Sequence, residues 1–89
     1  MIEQHAPVVN QLGLHARAAA RFVHLAAQFT CKIQVGRGTR MVDGKSILGL
    51  LLLAAARGTT LTIKADGPDE AAAVDALLAL TARGFEDPA

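Results

Sequence analysis

Hydrophobic and polar residues follow one another with two different spacings along this chain. Stretches that alternate residue by residue predict strands, and stretches with apolar residues three and four apart predict helices. The predicted elements, in chain order, are a strand at 2–8, a helix at 16–28, strands at 31–35 and 39–43, a helix at 46–57, a strand at 60–65 and a helix between 69 and 84.

That order, βαββαβα, predicts an α/β (α+β) two-layer open-faced sandwich, with three helices on one face of a four-stranded antiparallel sheet. Pro7 has no backbone N–H to donate, so the first strand should lie at a sheet edge. No repeat, low-complexity tract or linker divides the sequence, and residues 1–89 are expected to form a single domain.

The two later helices carry recognisable end signals. Ser46 is a good N-cap for the second helix, which should end near Arg57 with Gly58 after it. Asp69 is expected to cap the third helix, and Gly84 to end it. The buried face of that third helix is expected to contain Ala71, Val74, Leu77, Leu78 and Thr81.

The second helix has more apolar residues than one buried face requires. Leu50, Leu53 and Ala54 are spaced to face the core. A second apolar stripe, at helical spacing, consists of Leu48, Leu51, Leu52 and Ala55. Either the third helix or a loop covers this second stripe, or it remains exposed for a partner.

Composition narrows the function. Of the residues, 52% are apolar, enough for a two-layer core, and the net charge of +1 gives no electrostatic footprint for nucleic acid. The single cysteine, Cys31, alternates with strand residues and is expected to be buried and inert. No signal peptide is recognisable, and the apolar segment 47–56 is too short to span a bilayer, so a cytoplasmic protein not embedded in a membrane is expected.

The candidate functional residues lie in Gly13–Arg17, between the first predicted strand and the first predicted helix. The free N–H groups at a helix N-terminus favour phosphate, histidine can carry a phosphoryl group, and arginine binds phosphate oxygens. These residues suggest a phosphoryl group that is bound by His15 and Arg17 and then passed on. The plainer alternative is that His15 is a helix cap or a surface residue.

A metal enzyme is disfavoured. His5 lies in the expected edge strand, and His15 and His24 do not have the i, i+4 spacing of helical metal ligands. With no nucleotide loop or metal cluster, we expect no cofactor and no independent catalytic turnover.

Three motifs resemble the histidine-containing phosphocarrier family, HPr, of the bacterial phosphoenolpyruvate-dependent phosphotransferase system. They are Gly13–Arg17, Lys45–Leu50 and Gly67–Glu70, and the order of elements matches as well. The resemblance covers nearly the whole chain and implies an HPr-like fold.

The resemblance also implies residue roles. His15 would be phosphorylated on Nδ1 by enzyme I, with phosphoenolpyruvate as the source, and an enzyme IIA domain would receive the group. Arg17 would hold the phosphoryl oxygens. Ser46 matches a regulatory serine that an ATP-dependent HPr kinase/phosphorylase modifies in some bacteria. The docking residues for partners would be Leu14, Ile47, Leu48 and Leu51.

Two positions depart from the pattern of the sugar-transport members. Ala18 stands where proline is usual, and Leu12 where a small polar residue is common. Alanine at position 18 looks more like the residue found in proteobacterial carriers, including those of the nitrogen-related branch. Three alternatives therefore stay open: a sugar-branch carrier, a nitrogen-branch carrier, and a binding module regulated through Ser46. In each case a monomer is expected.

Overall fold

Four strands form one antiparallel sheet, in the order β1–β4–β2–β3. The structure, a computed structural model, describes residues 1–87. The strands are β1 (Ile2–Pro7), β2 (Lys32–Arg37), β3 (Arg40–Asp43) and β4 (Thr60–Asp66). The helices are α1 (Ala16–Ala26), α2 (Ile47–Leu52) and α3 (Glu70–Ala82), followed by a short 3₁₀ turn at Gly84–Glu86.

The βαββαβα sandwich expected from the sequence is confirmed, and so is the edge position of β1. Strand β1 pairs with β4, with Ile2 opposite Ala65. Strand β2 pairs with the other side of β4, with Val35 opposite Ile63. Because Pro7 lies on the outermost strand, its missing N–H breaks no ladder in the middle of the sheet.

The core lies between the sheet and the helices. Every second residue of β4, namely Leu61, Ile63 and Ala65, is buried, as expected when helices cover only one face. The largest buried side chains from the other elements are Phe22, Ile33, Val35, Leu50, Leu77 and Phe85. Cys31 is also buried, as its alternation predicted. Within residues 1–87, every helix is too short or too polar to traverse a bilayer.

Helix α2 ends at Leu52, five residues before the predicted end at Arg57. Leu53 is the C-cap, and Ala54 has a positive φ of 49°, which stops the helix. Arginines from the β2–β3 hairpin satisfy the free carbonyls: Arg37 donates to the carbonyls of Leu53 and Ala54, and Arg40 donates to that of Leu52.

The early end of α2 overturns two burial assignments. Helical spacing no longer applies after Leu53, so Ala55 is buried and Ala54 is exposed, the reverse of the prediction. Leu50 and Leu53 face the core as expected. At the other end, the Ser46 cap is confirmed, because its Oγ accepts the N–H of Gly49 at 3.0 Å.

Helix α3 differs from its prediction in its cap and its buried face. The Asp69 side chain makes no capping bond and instead accepts the N–H groups of Thr30 and Cys31. Ala71 is exposed and Leu78 only half-buried. The buried residues are Ala73, Val74, Leu77, Leu80 and Thr81. Alanine and leucine occupy so many positions of α3 that spacing alone does not select one face.

Candidate functional site

The loop before α1 is fixed by a glycine that no other residue could replace without strain. Gly13 has φ +66°, and a Cβ there would lie 2.5 Å from the carbonyl oxygen of Ala55. The next N–H, of Leu14, donates to the same carbonyl at 2.9 Å. The loop that leads into α1 is therefore tied to the segment that follows α2.

His15 is the N-cap of α1, with extended backbone angles of φ −80° and ψ −179°. Its Nδ1 accepts the N–H of Arg17 at 3.3 Å, and its carbonyl accepts the N–H of Ala19 at 2.8 Å. Nδ1 thus faces the helix N-terminus, where backbone N–H groups lack helical partners and carry a partial positive charge. An anionic group bonded to Nδ1 would lie at this positive end.

The other ring nitrogen of His15 contacts a carboxylate that the sequence prediction missed. Nε2 lies 2.6 Å from Oδ2 of Asp87, whose side chain is only 4% exposed. Asn10 Nδ2 donates to the same oxygen at 2.8 Å, and Arg21 Nη1 donates to Oδ1 at 3.0 Å. The hydrogen bond from His15, helped by the hydrogen bond from Asn10 and the positive charge of Arg21, holds the pKa of Asp87 below its usual value.

The two arginines of α1 near this site have different roles. Arg21 is engaged with Asp87 and also donates to the carbonyl of Phe85 at 2.8 Å. Arg17 is exposed, and within residues 1–87 its guanidinium takes part in no ion pair. Arg17 is therefore available to an incoming anion, whereas Arg21 stabilises the carboxylate behind His15.

Three of the four residues predicted for the second apolar stripe of α2, namely Leu48, Leu51 and Leu52, are exposed, and neither α3 nor a loop within residues 1–87 covers them. The fourth, Ala55, is buried. We call Ile47, Leu48, Leu51 and Leu52 the α2 patch, in which Leu48 is 68% exposed.

The expectation that Leu14 belongs to the docking surface is wrong for this conformation, because Leu14 is only 5% exposed and packs in the core. Leu12, on the other side of the left-handed turn at Gly13, is the exposed leucine of this loop, at 72%.

The three histidines do not form a metal site. Among residues 1–87, no group of three or more His, Cys, Asp or Glu side chains is placed to hold a metal ion.

Comparison with known sequences identifies the family. A family model described as "PTS HPr component phosphorylation site" matches residues 2–83. The chain belongs to the HPr family of phosphotransferase-system phosphocarriers. The phosphocarrier protein HPr of Cupriavidus necator is 48% identical over 85 residues, which is 96% of each chain. The phosphocarrier protein NPr of Shewanella violacea is 38% identical and covers 97% of this chain and 94% of its own.

Solved HPr structures have the same fold. HPr-C-His from Thermoanaerobacter tengcongensis is 36% identical, covers all of both chains and superposes with a TM-score of 0.95. Another structure from that organism is an HPr dimer, with a TM-score of 0.78 over 98% of this chain and all of its own, at 37% identity. The monomer expected for this chain therefore stays a prediction.

Proposed function

We propose that this HPr-family chain carries a phosphoryl group on Nδ1 of His15. The group would come from enzyme I, with phosphoenolpyruvate as the source, and would pass to an enzyme IIA domain. The observation that carries the proposal is the direction of Nδ1, which faces the N-terminus of α1. In the transfer, the Nδ1 lone pair forms the P–N bond while the bond from phosphorus to the donor breaks, and the onward step reverses this exchange.

The other residues of the proposed site would either stabilise the charge of the phosphoryl group or contact the partner enzymes. Arg17 would bind the phosphoryl oxygens through its planar guanidinium, which is exposed beside His15. Phosphoryl transfer depends mainly on positioning and charge stabilisation, and the partner enzymes would supply the groups that this chain lacks. Ile47, Leu48 and Leu51 would contact those partners, because large exposed apolar side chains in one patch are typical of interaction sites. We expect the carrier to act as a cytoplasmic monomer.

Ser46 is proposed as a site of regulatory phosphorylation by an HPr kinase/phosphorylase. Its Oγ caps α2, and Ile47 and Leu48 of the α2 patch follow it directly. A phosphate there would place about two negative charges beside an apolar docking surface and so oppose its burial.

A nitrogen-branch carrier is the second candidate function. It is favoured by the NPr relative, which matches over nearly the full chain, and by alanine at position 18. A module that acts only through Ser46 is less well supported, because it would not need Nδ1 of His15 at a helix N-terminus or an unengaged Arg17.

The proposal is tested by incubating the protein with enzyme I and labelled phosphoenolpyruvate. The wild type should acquire an acid-labile phosphoryl group, and His15→Ala should acquire none. His5→Ala and His24→Ala are matched controls that should be labelled like wild type. Label that persists in His15→Ala would overturn the assignment. Comparing sugar-branch and nitrogen-branch enzyme I as donors distinguishes the two carrier functions by the faster rate.

A further inference from the structure

The Asp87 carboxylate, which contacts Nε2 of His15, lies outside the Gly13–Arg17 motif. We propose that Asp87 is a positioning residue that fixes the His15 ring in its Nε2–H tautomer and so leaves a lone pair on Nδ1. This inference rests on the proposed function, because it concerns the same nitrogen that would accept the phosphoryl group.

The tautomer follows from the partners of the two ring nitrogens. An ionised carboxylate only accepts hydrogen bonds, so the contact of 2.6 Å with Asp87 requires a proton on Nε2. A backbone N–H only donates, so the contact of 3.3 Å with the N–H of Arg17 requires an unprotonated Nδ1. Neutral imidazole has one proton, and both contacts assign it to the same nitrogen. In the neutral ring, the lone pair therefore lies on Nδ1, the nitrogen that would accept the phosphoryl group.

Asp87 is itself held by groups that favour its charged form. Three donors converge on its carboxylate, from His15, Asn10 and Arg21, and the side chain is almost fully buried. Arg21 supplies a full positive charge, and Asn10 a neutral donor. The carboxylate therefore remains an acceptor and keeps Nε2 as the donor.

Two of these groups also fix where Asp87 lies. Asn10 Nδ2 donates to the carbonyl of Gly13 at 2.8 Å as well as to Asp87, so one amide links the loop before His15 to the carboxylate. Arg21 donates to the carbonyl of Phe85, whose side chain is buried in the core. The segment that contains Asp87 is thus anchored from both sides, as a group that orients another side chain must be.

The same carboxylate would also stabilise the phosphorylated ring. When Nδ1 bonds to phosphorus while Nε2 keeps its proton, the imidazole gains a positive charge, and no proton needs to leave. Asp87 already lies against the N–H that shares this charge. Fixed groups aimed at developing charge are among the strongest contributions to catalysis. A carboxylate that orients histidine in this way is also a recurring arrangement in hydrolases.

The first test is spectroscopic and needs no partner enzyme. Long-range ¹H–¹⁵N correlation spectra of the ring, recorded in its neutral form, report which nitrogen is protonated. Wild type should show the Nε2–H tautomer for His15, and an Nδ1–H tautomer would overturn the inference. Asp87→Asn should give a mixture of tautomers, because an amide can either donate or accept. Glu86→Gln removes the same charge from an exposed neighbour and should leave the spectrum unchanged.

The second test is the rate of phosphorylation by enzyme I. Asp87→Asn should slow it by about tenfold or more, the scale of loss when an orienting partner of histidine is removed at metal sites. Asp87→Glu should recover part of the rate, and Glu86→Gln should match wild type. An unchanged rate in folded Asp87→Asn would overturn the role in transfer. If wild type is not phosphorylated at all, the proposed function fails, whereas the spectra still decide the tautomer.

Discussion

Leu50 and Leu48 offer a matched pair of substitutions within one helix that separates folding from docking. Both lie in α2, and both would be truncated to alanine, so the chemical change is the same. Leu50 is fully buried, whereas Leu48 is 68% exposed. Burial of a complete leucine side chain contributes roughly 1.5–3 kcal/mol, and the cavity left by its loss raises the cost of Leu50→Ala to about 2–5 kcal/mol. Leu48→Ala should cost about 0.5 kcal/mol or less.

Urea denaturation measures both values in one experiment. With an m-value of about 1–3 kcal/mol/M, Leu50→Ala should lower the urea midpoint by about 0.7 M or more, and Leu48→Ala should barely move it. Calorimetric titration with enzyme I should show the opposite order, with Leu48→Ala weakening binding by about 1 kcal/mol, or about fivefold. Equal destabilisation by the two variants, or undiminished binding by Leu48→Ala, would refute the reasoning.

Three further predictions concern charge. Arg17→Ala should fold normally but slow the phosphorylation of His15, and Arg17→Lys should restore only part of the rate because lysine lacks the guanidinium fork. Stopped-flow measurement of transfer from enzyme I gives these rates, and a wild-type rate in Arg17→Ala would contradict the prediction. Ser46→Asp should keep its melting temperature, since aspartate is also a good N-cap, while transfer slows, so a fast or unfolded variant would remove the basis for regulation. The hydrogen bond from the N–H of Thr30 is the main cause that lowers the pKa of Asp69 in the folded protein. The Asp69 carboxylate therefore stabilises the fold fully at pH values above its pKa in the unfolded chain, and this contribution is lost as pH falls through the lowered pKa of the folded protein. Asp69→Asn should therefore flatten the acid limb of the melting-temperature profile, and an unchanged limb would disprove the linkage.

Local pattern determined the elements, and long-range contacts determined where they end. Strand β4 was predictable because its buried residues alternate strictly with exposed or half-buried ones. The end of α2 was not, because its last carbonyls are satisfied by Arg37 and Arg40 from a different part of the chain. The face of α3 was not predictable either, since its own residues are apolar nearly all round.

In the candidate site too, local features were predictable from the sequence and long-range contacts were not. The position of His15 at a helix start was visible in the sequence, because the cap and its helix are adjacent. Asp87 was not, because it lies 72 residues away from His15 and nothing in the sequence distinguishes it from the neighbouring Glu86. Leu14 was misassigned because the left-handed turn at Gly13 decides which leucine of the loop faces outward.

The cap of α1 links the stability of the fold to the energy of the bound group. On the proposed chemistry, the lone pair that accepts the N–H of Arg17 is the one that bonds to phosphorus, so a phosphoryl oxygen must take over as acceptor. An anionic oxygen is a stronger acceptor at a helix N-terminus than a neutral ring nitrogen, and the phosphorylated domain should be the more stable one. By thermodynamic linkage, that gain is subtracted from the free energy available for passing the group onward. On that chemistry, the first turn of α1 would set part of the transfer potential of the carrier.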